Sequence, residues 1–439
     1  MHTLYFHKLC LLLFVLATSP AMAQNLAALK AKINQMADQI EPKVIEWRRH
    51  FHQNPELSNR EFKTAEKIQA HLEALGLEVK TGVAHTGLVA LLKGGKPGPV
   101  VALRADMDAL PVVERVDLPF ASKVKTTYLN QEVGVMHACG HDTHVAILMG
   151  VAEILTRHKD QLKGTIKFIF QPAEEGAPEG EEGGAELMVK QGVMENPKVE
   201  AVFGLHINSQ TEVGVIRYRP EGTMAAADRF RIVVKGQQTH GSQPWAGNDP
   251  VVVAAQIVTA LQTIVSRHIN LTQNPAVVSV GLIRGGVRNN IIPEEVEMIG
   301  TIRTFSNQDQ ENIHQRIRQI AENVAESAGA KAEVEVIRGY PVTYNDPALT
   351  AQMLPTLESV AGKDNVLLTP AVTGAEDFSF FAQKAPGLFV FLGGMPKGKN
   401  PAEAAPHHTP DFFIDESGMK LGVKTLCHLA LDYMEQFKP

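Results

Sequence analysis

Apolar runs of strand length alternate with helical patterns through the first half of the chain. Residues 87–92, 100–104, 165–170 and 201–206 are nearly continuous apolar runs, and residues 142–158 have helical spacing. Such runs are typical of strands buried on both faces, so the alternation predicts an α/β sheet covered by helices. Because active sites of such sheets lie beyond the carboxyl ends of the strands, polar residues at those ends are candidates for chemistry.

A second pattern begins near residue 221. It has the order β-α-β-β-α-β, with elements predicted at residues 229–235, 249–268, 276–283, 296–303, 307–328 and 332–337. This order is that of a ferredoxin-like domain. Because chemistry-bearing segments lie on both sides of it, we expect a catalytic domain of residues 24–220 and 339–439 with an inserted lid or dimerisation domain of residues 221–338.

The first 23 residues have the pattern of a signal peptide. Lys8 precedes an apolar core at residues 9–17, and Ala21-Met22-Ala23 fits a cleavage site. We expect export to the periplasm or out of the cell, with a mature chain that begins at Gln24. We find no later apolar run of about 20 residues and expect no membrane anchor. A net charge of -6 without a Lys/Arg-rich run argues against nucleic acid as a partner.

Cys139 and His141 lie in a turn before a helix that Asp142 is placed to cap. Thiolate and imidazole are ligands of divalent transition metals, and a thiolate can bridge two of them. The same residues also fit a nucleophilic Cys139 with His141 as its base. A disulfide from Cys139 to Cys427 is a third alternative in an exported protein, although Cys427 has the surroundings of a buried helix thiol.

Carboxylates follow two of the predicted strands. Asp106 can orient a metal-bound His from behind, or simply cap a turn. Glu174 and Glu175 follow the strand at residues 165–170. Because successive residues there point in different directions, one can bind a metal while the other faces the water that it activates.

Further imidazoles lie at a strand end and in a C-terminal loop. His206 ends the strand at residues 201–206 and is a candidate ligand. One of His407 and His408 is a second candidate, and spacing does not decide between them. We interpret His137 and His144 as satisfied structural histidines.

The predicted insertion also carries polar candidates. His240 follows a strand, and Asn290 and Arg303 lie near strand ends, together with Arg288 and Asn289. These groups can hold a carboxylate or a carbonyl oxygen, although a loop His such as His240 can also be merely solvated.

Seven motifs in order now identify a resemblance. They lie at residues 48–57, 104–111, 136–142, 170–175, 290–293, 300–303 and 374–379. On these motifs the chain resembles the two-metal peptidases of the aminoacylase and carboxypeptidase G kind. It is most similar to the subgroup of hippurate hydrolases, N-acyl-amino-acid amidohydrolases and indole-acetyl-amino-acid hydrolases.

The resemblance implies a role for each candidate. It implies that Cys139 bridges two metals whose other ligands are His141, Glu175, His206 and His408, the last selected over His407 by a His-x-Pro pattern. Glu174 takes the place of the general base, and Asp106 that of the orienting Asp. His240 and Asn290 match residues that reach the scissile group or the substrate carboxylate, often from a partner subunit, and Gly374 lies in a loop beside the substrate. More distant relatives have a His where this chain has Arg104.

We therefore expect metal-dependent hydrolysis of the amide bond of N-acyl amino acids by two divalent ions, zinc, manganese, cobalt or nickel, in a homodimer formed through the insertion. A metallo-dipeptidase or carboxypeptidase is the alternative within the same chemistry. A Cys-nucleophile hydrolase, which would survive chelator, and a non-catalytic metal-binding protein are more distant rivals. One departure affects the substrate: the stretch at residues 176–184, close to the metal ligands, is longer than the usual link.

Overall fold

The computed structural model describes residues 20–437, with backbone only at residues 20–23. The apolar leader core predicted at residues 9–17 lies outside this range. Within it, the helices are α1 Pro20–Gln53, α2 Phe62–Ala74, α3 His141–Thr156, α4 Gly184–Lys190, α5 Pro250–His268, α6 Asn307–Ser327, α7 Pro347–Ala361, α8 Phe378–Ala382 and α9 Met419–Gln436.

Over the same residues, the strands form two main sheets and three short pairs. They are β1 Glu78–Val83, β2 Gly87–Lys93, β3 Lys96–Asp106, β4 Lys125–Tyr128, β5 Gln131–Gly134, β6 Lys163–Gln171, β7 Ala201–Glu212, β8 Ile216–Tyr218, β9 Glu221–Met224, β10 Ala226–Lys235, β11 Thr239–His240, β12 Ala276–Gly285, β13 Ile291–Ile292, β14 Glu295–Thr304, β15 Lys331–Tyr340, β16 Thr343–Asn345, β17 Val366–Leu368 and β18 Gly387–Met395.

The larger sheet is mixed and has the order β1-β2-β6-β3-β7-β18-β8-β17. Its central strands β6, β3, β7 and β18 run parallel. Helices α1, α3 and α9 cover one face, and α4 and α8 cover the other. The structure thus confirms the predicted α/β class with a sheet covered on both faces.

The twofold side-chain period of strand β3 separates its core from its chemistry. Leu103 packs in the core under α1, α3 and α9, whereas Ala102 packs on the opposite face. Arg104 and Asp106 have the parity of Ala102 and therefore point to the face of α8. A shift of one residue in this register would exchange the core and the polar residues.

Two central features of the sheet differ from the sequence prediction. Strand β7 does not end at His206 but continues to Glu212. Its pairing with β3 ends at Gly204, whereas its pairing with β18 continues through His206. The fully buried strand β18 was not predicted at all, although it is a continuous apolar run.

A buried charge network ties α1 to α3, and Asp142 is part of it. The cap of α3 is Gly140, so the predicted capping role of Asp142 is wrong. Instead, Asp142 Oδ2 lies 2.8 Å from Arg48 Nε and 2.8 Å from His52 Nδ1. His52 Nε2 also lies 3.0 Å from Glu114 Oε1. Breaking such a buried pair costs about 3–5 kcal/mol, so the network fixes the start of α3.

The smaller sheet has the order β12-β14-β10-β15 with antiparallel pairs throughout. Helices α5 and α6 pack on one face of it and form a separate apolar core. Asp249 caps α5 and Ser306 caps α6 through side-chain oxygens that accept backbone N–H groups. The predicted β-α-β-β-α-β order is the observed one, while the domain limits at 220 and 339 stay a prediction.

Helix α5 is a longer apolar segment than we predicted for any part of the chain after the leader. Among the described residues, α5 is the one helix whose length and apolar composition would allow it to cross a membrane. Its apolar composition has another explanation, because Val253, Ile257, Leu261 and Ile264 pack in the core of the smaller sheet.

Candidate metal centre

A tight turn before α3 places Cys139 and His141. Gly140 has a φ of 96°, a conformation that favours glycine, and a Cβ there would meet Ile207 at 2.3 Å. The turn therefore packs against Ile207 of β7, and His206 directly precedes Ile207 in that strand. His408, whose backbone N–H donates to Ala138 at 2.9 Å, brings the C-terminal loop to the same place.

Cys139 Sγ lies at the centre of the candidate ligands. It is 3.4 Å from His206 Nε2 and 3.3 Å from His408 Nε2. His408 Nε2 is also 3.0 Å from Glu175 Oε1. Sulfur and nitrogen ligands of one tetrahedral zinc ion are roughly 3.5 Å apart, since the two bonds measure about 2.3 and 2.0 Å. The separations therefore fit a cation held between these atoms.

Backbone contacts select the ligand-competent tautomer of two imidazoles. His206 Nδ1 donates to Ile207 O at 2.6 Å, and His141 Nδ1 donates to Asp108 O at 2.9 Å. In the neutral form of both rings Nε2 then keeps its lone pair for a metal. The Nε2 of His141 is buried without a hydrogen-bond partner. The Nε2 atom of His141 lies 3.8 Å from Glu174 Oε2 and 4.0 Å from Glu175 Oε1.

Two neighbouring histidines have both nitrogens in use. His407 Nδ1 donates to Cys139 O at 3.0 Å, and its Nε2 accepts from Ser209 N–H at 3.3 Å. His144 Nε2 accepts from Ile207 N–H at 2.8 Å, and its Nδ1 donates to Asp106. These contacts leave neither ring a free lone pair, which favours His408 over His407 as the ligand.

His137 departs from its interpretation as a satisfied structural histidine. Both of its ring nitrogens are buried, and neither has a hydrogen-bond partner. Burial lowers the pKa of His137 to about 3, so the ring is neutral at physiological pH.

Buried carboxylates hold the backbone of the Glu174–Glu175 turn. Asp108 accepts both of its backbone N–H groups, each at 3.1 Å, and Glu61 accepts that of Ala173 at 2.9 Å. Ala173 has a φ of 52°, which is uncommon outside glycine and asparagine. The strained backbone is thus held by buried contacts, and both Glu carboxylates have an oxygen within 4.8 Å of each other and of a His141 ring nitrogen.

Arg104 organises the acidic wall behind Glu174. Its guanidinium donates to Asp106 Oδ2 at 2.6 Å, Glu376 Oε1 at 2.8 Å and Asp377 Oδ1 at 3.0 Å. Glu174 has an oxygen within 4.8 Å of those of Glu376 and Asp377. Asp106, the predicted orienting residue, contacts Arg104 through Oδ2 and His144 through Oδ1. Its Oδ2 also lies 4.0 Å from His141 Nε2.

The electrostatics of the pit favour a cation. Burial, followed by Glu376 and Glu175, raises the pKa of Glu174 well above its ordinary value. Burial and then Glu175 and Glu174 do the same to the Cys139 thiol. Burial lowers the pKa of His141, but Asp106 and Asp108 raise it to about 10, so this ring and the Arg104 guanidinium face the excess of carboxylates. Divalent ions would compensate the charge and restore the ionised forms. The donor set and the unpartnered Nε2 of His141 therefore fit two metal ions.

The alternatives for Cys139 find less support. The imidazoles near Sγ are His206, His407 and His408, whereas His141 Nε2 faces Glu174 and Glu175. A raised thiol pKa also opposes a nucleophilic role. Both Cys139 and Cys427 are free, so the disulfide alternative is wrong, and Cys427 is buried in α9 as predicted.

The remaining candidates lie away from the cluster. His240 is exposed on β11, beside Asn290, whose carbonyl accepts from Gly241 N–H. Arg303 Nη1 donates to Ile302 O on β14. Over residues 20–437, no hydrogen bond or ion pair joins these three to the cluster. Gly374 is exposed in a loop that leads into Glu376, so it borders the acidic wall.

Asp108, Glu376 and Asp377 were not among the predicted site residues. Asp108 directly follows the Asp106 strand end, and Glu376 and Asp377 are an acidic pair inside a quoted motif. An acidic pair is an ordinary surface feature in a sequence. Only the burial of Arg104, fixed by the packing of β3, shows that these carboxylates face inward.

Comparison with known families and proteins gives consistent results. Residues 102–432 match the family described as peptidase family M20/M25/M40. Thermostable carboxypeptidase 2 of Saccharolobus solfataricus is 42% identical over 404 residues, covering 92% of this chain and 98% of that relative. N-acetylcysteine deacetylase of Bacillus subtilis is 38% identical, covering 92% and 100%. IAA-amino acid hydrolase ILR1-like 2 of Arabidopsis thaliana is 35% identical, covering 99% and 95%.

Solved structures agree with these matches. A putative aminohydrolase from methicillin-resistant Staphylococcus aureus superposes with a TM-score of 0.83 at 34% identity, covering 92% of this chain and all of that one. A Bacillus subtilis protein described as a dinuclear metal-binding peptidase of the M20 family gives a TM-score of 0.75 at 35% identity, covering 91% and 100%.

We predict that two neighbouring histidines differ in their effect on metal content. His408→Ala should lower the bound divalent metal by about one equivalent per chain, because its Nε2 faces Cys139 and Glu175. His407→Ala should keep the full metal content, because both of its nitrogens already bind backbone groups. Elemental analysis after dialysis measures this. Equal losses in the two variants would contradict the ligand assignment.

Proposed function

This chain belongs to peptidase family M20/M25/M40 and is a metal-dependent amidohydrolase, and we propose that its substrates are N-acyl amino acids. It would cleave the amide bond and release a carboxylic acid and an amino acid. The observation that carries the proposal is the convergence of Cys139, His141, Glu175, His206 and His408 on one buried pit with Glu174 beside them. Relatives named as a deacetylase and as an amino acid hydrolase support the substrate class.

A carboxypeptidase is the second candidate, because two thermostable carboxypeptidases are among the similar relatives. Both candidates hydrolyse an amide carbonyl. They differ in the group on the carbonyl side of the scissile bond, which is a simple acyl group in one and a peptide in the other. The substrate panel that tests the proposal therefore includes short peptides.

We propose two divalent ions per subunit, from zinc, manganese, cobalt and nickel. Cys139 would bridge them, and Glu175, His141, His206 and His408 would complete the ligands. Ions held there would supply Lewis acidity, which lowers the pKa of water toward about 7 and polarises a carbonyl. A thiolate with imidazoles suits these metals better than magnesium or calcium.

Glu174 is the proposed general base. Its side chain is buried, and no ion pair with Lys or Arg neutralises it within the described residues. It would take a proton from water and deliver it to the leaving amine, as one carboxylate can do in both directions. Arg104 would hold Asp106, Glu376 and Asp377 in place, so that Glu174 alone among these carboxylates is free to move a proton.

His240 is the proposed donor to the oxyanion. Its Nδ1 accepts from Ser242 N–H at 3.0 Å, so the neutral ring carries its proton on Nε2. That N–H is exposed and can donate to a developing negative oxygen. Asn290, next to His240 across the β11–β13 pair, and Arg303 on β14 are proposed to bind the substrate carboxylate.

A homodimer would bring these donors to the metal centre. Strand β12 is an edge of the smaller sheet and carries exposed apolar side chains at Val277, Leu282 and Ile283. Such an edge is a template for pairing with a second chain. We propose that β12 forms the dimer contact and that His240 acts in the site of the partner subunit.

We further propose that the protein is exported to the periplasm or beyond. The support is the pattern of Lys8, the apolar run at residues 9–17 and Ala21-Met22-Ala23. Mass spectrometry of the exported protein should find Gln24 as its first residue. A product that retains residues 1–23 would contradict the proposal.

The reaction is tested by amine release from N-acetyl, N-benzoyl and indole-acetyl amino acids and from short peptides. Each substrate is run with added metal and with chelator. Release from N-acyl amino acids that chelator abolishes is the expected result. Release from peptides alone would favour the carboxypeptidase, and activity that persists in chelator would favour a thiol mechanism.

We predict that Glu174→Gln lowers kcat by about 10²- to 10⁴-fold, because the amide cannot accept the proton. Metal content should stay at the wild-type level, since Glu174 is not among the proposed ligands. Glu182→Gln, on the exposed part of the neighbouring loop, is the matched control and should keep kcat. Near-normal turnover in Glu174→Gln would exclude this residue as the base.

We predict that His240→Ala and Glu174→Gln complement each other. Each variant alone should be nearly inactive. After subunit exchange, a mixed dimer has one site with both residues intact, so an equal mixture should regain about a quarter of wild-type activity. A mixture that stays inactive although exchange has occurred would show that His240 acts within its own chain or not at all.

A further inference from the structure

A cavity of about 1200 Å³ opens beside the metal centre. Its lining includes Glu175, and the rest comes from residues 55–62, 109–135 and 176–179. All of this lining lies outside the predicted insertion, which carries the proposed carboxylate donors. Because the proposed carboxylate donors lie elsewhere, the proposed placement of the substrate leaves this cavity for the acyl half. Its volume is far beyond the need of an acetyl group.

The wall of the cavity mixes polar and apolar side chains, and three of its charged side chains already have partners. Arg60 Nη2 pairs with Glu181 Oε1 at 2.5 Å, and Lys125 Nζ pairs with Glu132 Oε1 at 2.9 Å. Glu56 Oε2 accepts the backbone N–H of Thr64 at 2.8 Å. Glu179 lies at the exposed end. Between these groups the lining presents Phe62, Leu110, Val124, Tyr128, Leu129 and Pro178.

The long stretch at residues 176–184 is a fixed part of this wall. The Arg60–Glu181 pair and the bonds from Asn59 Nδ2 to Glu181 Oε2 and Glu182 O, both 3.0 Å, fasten it beside the start of α2. Ala177 and Pro178 are therefore held against the cavity. The first four residues of this unusually long stretch, 176–179, therefore form one side of the cavity.

Leu129 is the least expected residue of the lining. It forms the two-residue turn of the β4–β5 hairpin with Asn130, and both have positive φ, 48° and 62°. Turns of this kind prefer Asn, Asp or Gly, and Leu is disfavoured there. Leu129 is also 67% exposed, so the fold gains no buried core from it. A strained, exposed apolar residue facing a cavity indicates a role in binding.

We propose that this cavity binds a large apolar acyl group and that Leu129 is a specificity-determining residue for it. The inference rests on the proposed function and narrows it, since bulky aromatic or long aliphatic acyl groups would be preferred to acetyl. The tip of the hairpin covers the acyl group, Phe62 packs from the other side, and the 176–184 stretch closes the wall next to Glu175.

Two substrates of similar size separate the acyl side from the amine side. N-phenylacetyl-alanine carries its ring on the acyl half, and N-acetyl-phenylalanine carries it on the amine half. With the metal-loaded wild-type protein, kcat/KM should be at least about tenfold higher for N-phenylacetyl-alanine than for N-acetyl-alanine, the size of effect that an apolar subsite gives.

Leu129→Asn should lower kcat/KM for N-phenylacetyl-alanine by about tenfold and leave both N-acetyl substrates within about twofold. Its Tm should equal or exceed that of the wild type, because Asn suits the turn better than Leu. Phe62→Ser, also exposed, should show the same substrate split. Leu368→Asn is the control, because Leu368 is equally exposed but lies on β17, outside the lining.

An equal loss on all three substrates in Leu129→Asn, or an effect that follows the ring on the amine half, would overturn the proposal. So would a wild type that prefers acetyl. If no amide is cleaved, the proposed function fails by itself, and calorimetric binding of phenylacetate and acetate still tests the cavity. Tighter binding of phenylacetate that Leu129→Asn weakens supports it, and equal binding of the two acids overturns it.

Discussion

The carboxylates buried around Arg104 set the main constraint on this structure. Asp106, Glu376 and Asp377 share one guanidinium, while Glu174 and Glu175 face the pit with histidines rather than Lys or Arg beside them. Buried anions are costly unless they are paired or bind metals. The sheet register turns Arg104 and Asp106 to this face, and bound cations would compensate the carboxylates that Arg104 does not reach. Stability and catalysis depend on the same charge balance.

The hydrogen bonds that the histidine rings make to backbone groups then decide which rings keep a nitrogen free to bind a metal. His206 and His141 donate from Nδ1 to backbone carbonyls and keep Nε2 free, whereas His407 and His144 use both nitrogens. Residue type alone does not contain this distinction, because it arises from where the main chain passes behind each ring. The long β7, extending past the end of β3, supplies much of that backbone.

Much of this arrangement could be predicted from the sequence. Apolar runs and helical spacing indicated the α/β sheet and the order of the smaller unit, because both patterns are local. Strand β18 has the same kind of apolar run and could have been found. The inward orientation of Glu376 and Asp377, the two-sided pairing of His407 and the cavity behind Leu129 could not, since each depends on segments far apart in the chain. The motif resemblance did select His408, which local spacing left open.

The most direct test of the account is anomalous diffraction from crystals of the mature protein grown with zinc. Two anomalous peaks should flank Cys139 Sγ, each about 2.3 Å from it, with His206, His141, Glu175 and His408 as the other neighbours. His407 and His144 should contact neither peak. A Cys139 that contacts no metal, or a single ion held elsewhere among the carboxylates, would contradict the central claim that a bridging thiolate organises the site.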